Sequence, residues 1–122
     1  MGHHLLDADG KHKPVKDFDL LLVHHFLMLS AKELSLVNES QALLSWSWLG
    51  PGVWQGVNIE KLGSLGQLFE TAEKIVAKYG AEIPESYLNE FLPKGIHAET
   101  NQDSNRVIGI LRDIQSFIQK SA

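Results

Sequence analysis

Histidines and carboxylates are the residues of this 122-residue chain that could support metal or acid–base chemistry. His24 and His25 stand side by side in an apolar run. Ligands on one helix face are spaced three or four residues apart, whereas adjacent helical residues point about 100° apart. No second ligand has that spacing from either histidine. We therefore expect one histidine at the edge of the core and the other in polar surroundings.

A third histidine belongs to a partial motif. His97-Ala98-Glu99 matches the first half of the zinc deaminase signature, whose second half is a cysteine pair. The chain has no cysteine, so the match is coincidental. A metal site remains open only if folding brings His24, His25 and His97 together with distant carboxylates. We otherwise predict no metal, no cofactor and no catalytic residue.

The acidic motifs favour structural roles. Asp7-Ala8-Asp9-Gly10 resembles the opening of a calcium loop, but Lys11 stands where such a loop needs an oxygen ligand. Glu70 and Glu73 share a helical face, and Lys74 follows Glu70 by four residues, which is typical of a solvated salt-bridged surface. These patterns predict a turn and an exposed helix face.

The three tryptophans, Trp46, Trp48 and Trp54, all fall in one short segment with a Gly50-Pro51-Gly52 turn signal. Tryptophan is enriched at binding hot spots, because its rigid ring buries a large area at little entropic cost. We take these three residues as candidates for partner binding. The alternative is that their rings fill the core beneath a loop.

Composition narrows the function classes. Fifteen acidic and 11 basic residues give a formal charge of −4, and the lysines are scattered, which disfavours nucleic-acid binding. An acidic surface instead suits docking onto a basic protein partner. The absence of cysteine excludes disulfides, and the sequence contains neither a secretory signal nor an apolar run long enough to cross a membrane. These features favour a cytoplasmic protein.

The N-terminal half contains elements with mixed signals. Residues 1–16 are polar and predict a loosely ordered arm, with a tag-like start at 1–4. The apolar run after Asp17, a plausible N-cap, predicts a helix over 18–29. Ser30-Ala31-Lys32-Glu33 has the pattern of a capping box and predicts a second helix over 31–44, or a bend in the first. Residues 44–59 fit either a short hairpin or a helix followed by an aromatic loop.

The C-terminal half gives clearer periodicity. A helix capped by Asn58 or Ser64 should end at Gly80, a short helix should follow Pro84, and a last helix should begin near Asp103 or Ser104. Apolar residues at three- and four-residue spacing predict the buried side of each helix. For the short helix these are Tyr87, Leu88, Phe91 and Leu92.

The sequence therefore predicts one mainly α domain over 17–122, an orthogonal bundle of about four to six helices, with an α+β fold as the alternative. The preferred function is a small acidic, non-enzymatic protein-binding domain, for example of the immunity or inhibitor type. One alternative is a metal- or ligand-binding protein or enzyme with a site assembled from distant residues. The other is a subunit of a homo-oligomer or larger complex.

Overall fold

The computed structural model describes the backbone of residues 3–8, 11–36 and 65–121, and the side chains of 14–36 and 66–117. Within these ranges the chain is mainly helical, which confirms the predicted fold class. Four helices pack together, and two antiparallel strand pairs accompany them. The described elements, in chain order, are β1 (His3–Ala8), β2 (Lys11–Lys16), α1 (Asp17–Glu33), α2 (Leu65–Ala77), β3 (Glu82–Ile83), α3 (Glu85–Phe91), β4 (Gln102–Asp103) and α4 (Ser104–Ser121).

The core lies between α1, α2 and α4, each of which contacts the other two. The apolar residues of α2 and α4 recur at three- and four-residue spacing, which places them on one face, whereas α1 is apolar almost all round. The stripe predicted for α2 is confirmed, with Phe69 and Val76 fully buried. The main contributions to this core are Leu22, Val23, Phe26 and Leu27 from α1, Leu68, Phe69, Ala72 and Val76 from α2, and Val107, Leu111 and Ile114 from α4.

The predicted break in α1 at Ser30 is wrong. The helix runs on to Glu33, and the buried Ser30 hydroxyl donates to the carbonyl of Leu68, 2.7 Å away in α2. The helix ends one turn later, where the Ser35 and Leu36 amides donate to the carbonyls of Lys32 and Ala31 at 3.2 and 2.9 Å. Ser35 has φ 57°, so this is a Schellman end with serine in the position that glycine usually fills.

The N-terminal residues also differ from the predicted loose arm. β1 and β2 pair antiparallel from His3 opposite Lys16 to Ala8 opposite Lys11, and β2 contacts α1. Asp9-Gly10 joins the two strands in sequence, and Asp-Gly is a preferred dipeptide for two-residue hairpin connections. Gly10 and Pro14 predict a loop because both residue types interrupt regular structure, but an edge strand tolerates proline.

C-terminal to residue 65, the boundaries of the helices largely match those predicted from the sequence. Gly80 has φ 81° just after α2, as expected for a left-handed helix end. The carboxylate Oδ1 of Asp103 accepts the Asn105 and Arg106 amides at 2.8 and 3.4 Å, which confirms a cap for α4. Asp17, in contrast, lies in the first turn of α1 and is not its N-cap; that position belongs to Lys16.

Several predictions fall outside the described residues. They are the helix continuing from 37 to 44, the choice between hairpin and loop over 44–59, and the caps Asn58 and Ser64.

Two buried serines should respond in opposite directions to replacement by alanine. Ser30→Ala removes a buried hydrogen bond, so we expect the free energy of unfolding to fall by about 1 kcal/mol. The Ser104 hydroxyl is buried without a hydrogen-bond partner among the described residues, so Ser104→Ala should raise that free energy by about 1 kcal/mol. Urea denaturation of both variants measures the difference, and a destabilised Ser104→Ala would show that its hydroxyl is satisfied.

Candidate functional site

The two neighbouring histidines of α1 lie in different surroundings. His24 is buried, and His25 is half-buried where α1 meets α3. The surroundings of His25 are aromatic, as at an edge of the core. The two side chains lie in different surroundings because consecutive residues of a helix point about 100° apart.

His25 lies within a cluster of five rings that we call the aromatic junction: His25, Phe26, Tyr79, Tyr87 and Phe91. The His25 ring stacks on Phe91 with centroids 3.6 Å apart and planes 3° from parallel. The Tyr87 ring meets both of them edge to face, at 5.6 Å from His25 and 5.7 Å from Phe91. Edge-to-face pairs such as the two made by Tyr87 each stabilise by about 0.5–1.5 kcal/mol beyond the area they bury.

His25 and Tyr87 are joined by a hydrogen bond, and the pKa of each is shifted from its ordinary value. The Nε2 atom of His25 and the hydroxyl of Tyr87 form a 2.7 Å hydrogen bond, in which the hydroxyl donates when the ring proton is on Nδ1. Burial, together with the charges of His24 and Lys32, lowers the pKa of His25 from 6.5 to about 4. Burial and a hydrogen bond with Tyr79 raise the pKa of Tyr87 above its ordinary value. At neutral pH the junction is therefore uncharged.

Apolar residues on the surface of α1 around His25 extend the aromatic junction. Leu21, Met28 and Leu29 precede or follow His25 by four, three and four residues, so they adjoin it on the helix surface. All three are half-buried, whereas the opposite side of α1 is fully buried in the core. We call the surface formed by Leu21, His25, Met28, Leu29, Tyr87 and Phe91 the junction face.

A polar clamp holds the chain that follows α3. The side-chain amide of Asn89 donates to the Ala98 carbonyl at 3.1 Å and accepts the Ala98 amide at 2.8 Å. The Asn101 side chain accepts the Glu85 amide at 2.9 Å, at the start of α3. These contacts fold residues 84–101 into a unit whose Tyr87 and Phe91 rings face His25.

The metal-site candidates are not brought together. The exposed His97 lies 3.9 Å from Glu99 on a loop, whereas His25 is engaged with Tyr87. Among the residues that the structure describes, no group of three histidine, aspartate or glutamate side chains is placed to hold a metal ion. The tryptophan candidates, Trp46, Trp48 and Trp54, lie outside the described residues.

The carboxylates on α2 form surface ion pairs, as predicted. Glu70 lies 3.3 Å from Lys74, and Glu73 lies 3.0 Å from Arg112 of α4. Arg106 similarly pairs with Asp19 of α1 at 3.1 Å. Exposed pairs of this kind contribute about 0–1 kcal/mol each, so they help to align helices and suggest no chemistry.

The sequence pattern places Tyr87 and Phe91 on the inner side of a short helix but does not identify His25 as their partner. The two segments are 62 residues apart in the chain, and periodicity within each carries no information about that pairing. The one available signal is a histidine on a helix that is apolar all round, which indicates that a second element covers its outer side.

Comparisons with protein-family models, curated proteins and solved structures give no match to this chain. No helix within the described part of the chain has the length and apolar character needed to span a membrane. Inference about function therefore depends on the chain's own geometry.

Proposed function

We propose that this chain is a small, non-enzymatic protein-binding domain, and that the junction face is part of its contact surface. One observation carries the proposal: half-buried apolar residues of α1 flank His25 at helical spacing, and the His25 ring contacts Tyr87 and Phe91 of α3. Aromatic residues and methionine are enriched at protein interfaces, and a contiguous apolar surface often marks one.

The composition of this face suits recognition better than catalysis. Tyr87 and Phe91 offer large rings whose positions are fixed by stacking and by the hydrogen bond to His25. Rings already held in place lose little side-chain entropy when a partner covers them. Leu21, Met28 and Leu29 supply the adjoining apolar area.

The net charge of the chain favours a basic protein as the partner. The net charge of −4 favours encounter with a basic protein, because complementary charge accelerates association. An immunity- or inhibitor-type protein of the cytoplasm is the specific form we propose. Trp46, Trp48 and Trp54 are a second candidate surface for the same partner.

Leu21→Glu tests the junction face. Leu21 is half-buried outside the core cluster, so its replacement should leave the fold intact while placing a charge among the apolar contacts. Gln67→Glu adds the same charge at an exposed position of α2 and serves as the control. Both variants should unfold at the same temperature as the wild type, within about 3 °C.

The readout is capture of a partner from the lysate of the host organism, with mass-spectrometric identification. We expect wild type and Gln67→Glu to retain the same protein and Leu21→Glu to lose it. Equal capture by the wild type and both variants would exclude the junction face. If, in that case, Trp48→Ala or Trp54→Ala no longer captured the partner, binding would be assigned to the tryptophan segment. Failure of the wild type to retain any protein would count against the function itself.

Self-association is the competing outcome, and sedimentation velocity separates it from binding to another protein. A concentration-dependent rise in sedimentation coefficient that Leu21→Glu abolishes would identify a second copy of the chain as the occupant of the face.

A further inference from the structure

We propose that the docking of α3 on α1 is acid-sensitive: protonation of His25 releases residues 84–101 from α1 while α1, α2 and α4 remain packed. This inference concerns the chain alone and is independent of any partner. It starts from the junction, where one imidazole ring makes both the stacked contact and the hydrogen bond that join the two helices.

The geometry leaves a protonated ring poorly accommodated. In the docked state one face of His25 is covered by Phe91, 3.6 Å away, and its Nε2 atom is covered by Tyr87. A charge placed there loses hydration that the phenol oxygen replaces only in part. Release of α3 restores that hydration.

The charged and titratable groups around the ring do not compensate. His24 and Lys32 of α1 both act against a positive charge on His25. Tyr79, which follows α2, and Tyr87 of α3 contribute phenol groups and no carboxylate. Glu90 of α3 is the acidic group that acts on Tyr87, and its position is exposed. Solvent screening weakens its attraction for the imidazolium.

The α3 unit is built to move separately from the core. Asn89 and Ala98 hold each other within the unit, so its internal hydrogen bonds survive release. Within the unit, Leu88 and Ala98 are the buried apolar side chains, whereas α1, α2 and α4 each bury three or more. Segments with few buried apolar contacts open at lower free energy than the core.

The size of the effect follows from the shift in proton affinity. With a pKa of about 4 in the docked state, full recovery of the ordinary pKa of 6.5 on release would raise the equilibrium constant for opening about 20-fold between pH 7 and pH 5. His24 and Lys32 stay beside the ring on α1 after release, so about 20-fold is the upper limit. The change is confined to the pH window between these two values, and the docked form is favoured above it.

Hydrogen exchange of the full chain, followed residue by residue by NMR, tests the proposal. Protection factors, corrected for the intrinsic pH dependence of exchange, are compared at pH 7 and pH 5. We expect amides of Leu88–Phe91 to be less protected than those of Leu111 and Ile114 at both pH values. Their protection should fall between pH 7 and pH 5, by up to about 20-fold.

His25→Phe keeps an aromatic ring but cannot titrate, so the fall in protection of the α3 amides between pH 7 and pH 5 should disappear. His25→Gln is the second variant if phenylalanine disturbs packing. His97→Phe, at an exposed position, is the control and should retain the fall in protection. The proposal is overturned if α3 amides are as protected as those of α4, since opening would then be global. It is equally overturned if their protection does not change with pH, or if it changes alike in His25→Phe.

Discussion

Replacing Phe69 by alanine is expected to lower the free energy of unfolding by about 3–5 kcal/mol, far more than any substitution on the surface of the helices. Phe69 is fully buried in α2, facing the core that α2 shares with α1 and α4. Truncation removes the burial of a whole ring and leaves a cavity that three packed helices can close only in part.

Domains of this size have a total stability of about 5–15 kcal/mol, so Phe69→Ala should remove roughly a fifth of it or more. Urea denaturation monitored by circular dichroism measures the change. Gln67→Ala, two positions away and exposed on the same helix, is the matched control and should change stability by less than about 0.5 kcal/mol. If Phe69→Ala were as mild as its control, the packing of α2 between α1 and α4 would be wrong.

The second large effect is a loss of stability in acid that depends on one side chain. The pKa of His25 is lowered from 6.5 to about 4 in the folded chain, chiefly by burial. Between these pH values the unfolded chain binds a proton that the folded chain does not. Stability contributed by neutral His25 is therefore present above pH 6.5 and is lost as the pH falls toward 4.

Between pH 7 and pH 5 this loss is about 2 kcal/mol. Other titrating groups add their own pH dependence, so the informative quantity is the difference between wild type and His25→Phe in urea denaturation at both pH values. We expect the wild type to lose about 2 kcal/mol more than the variant over this interval. Identical pH profiles would mean that His25 is solvated in the folded chain, and the junction geometry would have to be revised.

Much of the helical architecture could be predicted because the signal is local. The buried residues of α2 repeat at three and four positions, and Gly80 marks the end of the helix through its backbone conformation. Asp103 likewise marks the start of α4 by a capping role that depends on the next three residues. Such features need no knowledge of distant parts of the chain.

The errors have an equally physical origin. Ser30 and Glu33 have the spacing of a capping box, but the Ser30 hydroxyl donates instead to the Leu68 carbonyl of α2, 38 residues away. Tertiary contact of that kind overrides a local motif. Near the N-terminus, Gly10 and Pro14 indicate a break in regular structure, whereas Asp9-Gly10 is also a hairpin signal.

The candidate site could be predicted only in part. The sequence marks His25 as a possible metal ligand and predicts that Tyr87 and Phe91 face inward, but their contact across 62 residues leaves no local signal. A pair of adjacent histidines suggests coordination chemistry because histidine is a common metal ligand. In the structure, the stacking of His25 on Phe91 and its hydrogen bond to Tyr87 instead give it a role in holding α3.

The junction face links the two proposals without making one depend on the other. In the first proposal, the partner contacts Tyr87, Phe91 and the adjoining apolar residues of α1. Acid release changes whether those rings are held in place. A partner that recognises the docked arrangement would therefore bind more weakly at pH 5 than at pH 7, and His25→Phe would remove that pH dependence.

The most direct test of the central claim is the affinity of the captured partner, purified and titrated calorimetrically into wild type, Leu21→Glu and Gln67→Glu at pH 7. A charge forced into an apolar contact costs several kcal/mol. We therefore expect Leu21→Glu to raise the dissociation constant by about 100-fold or more. Gln67→Glu should leave it within about threefold of the wild type. An unchanged affinity for correctly folded Leu21→Glu would contradict the assignment of the junction face as the binding surface.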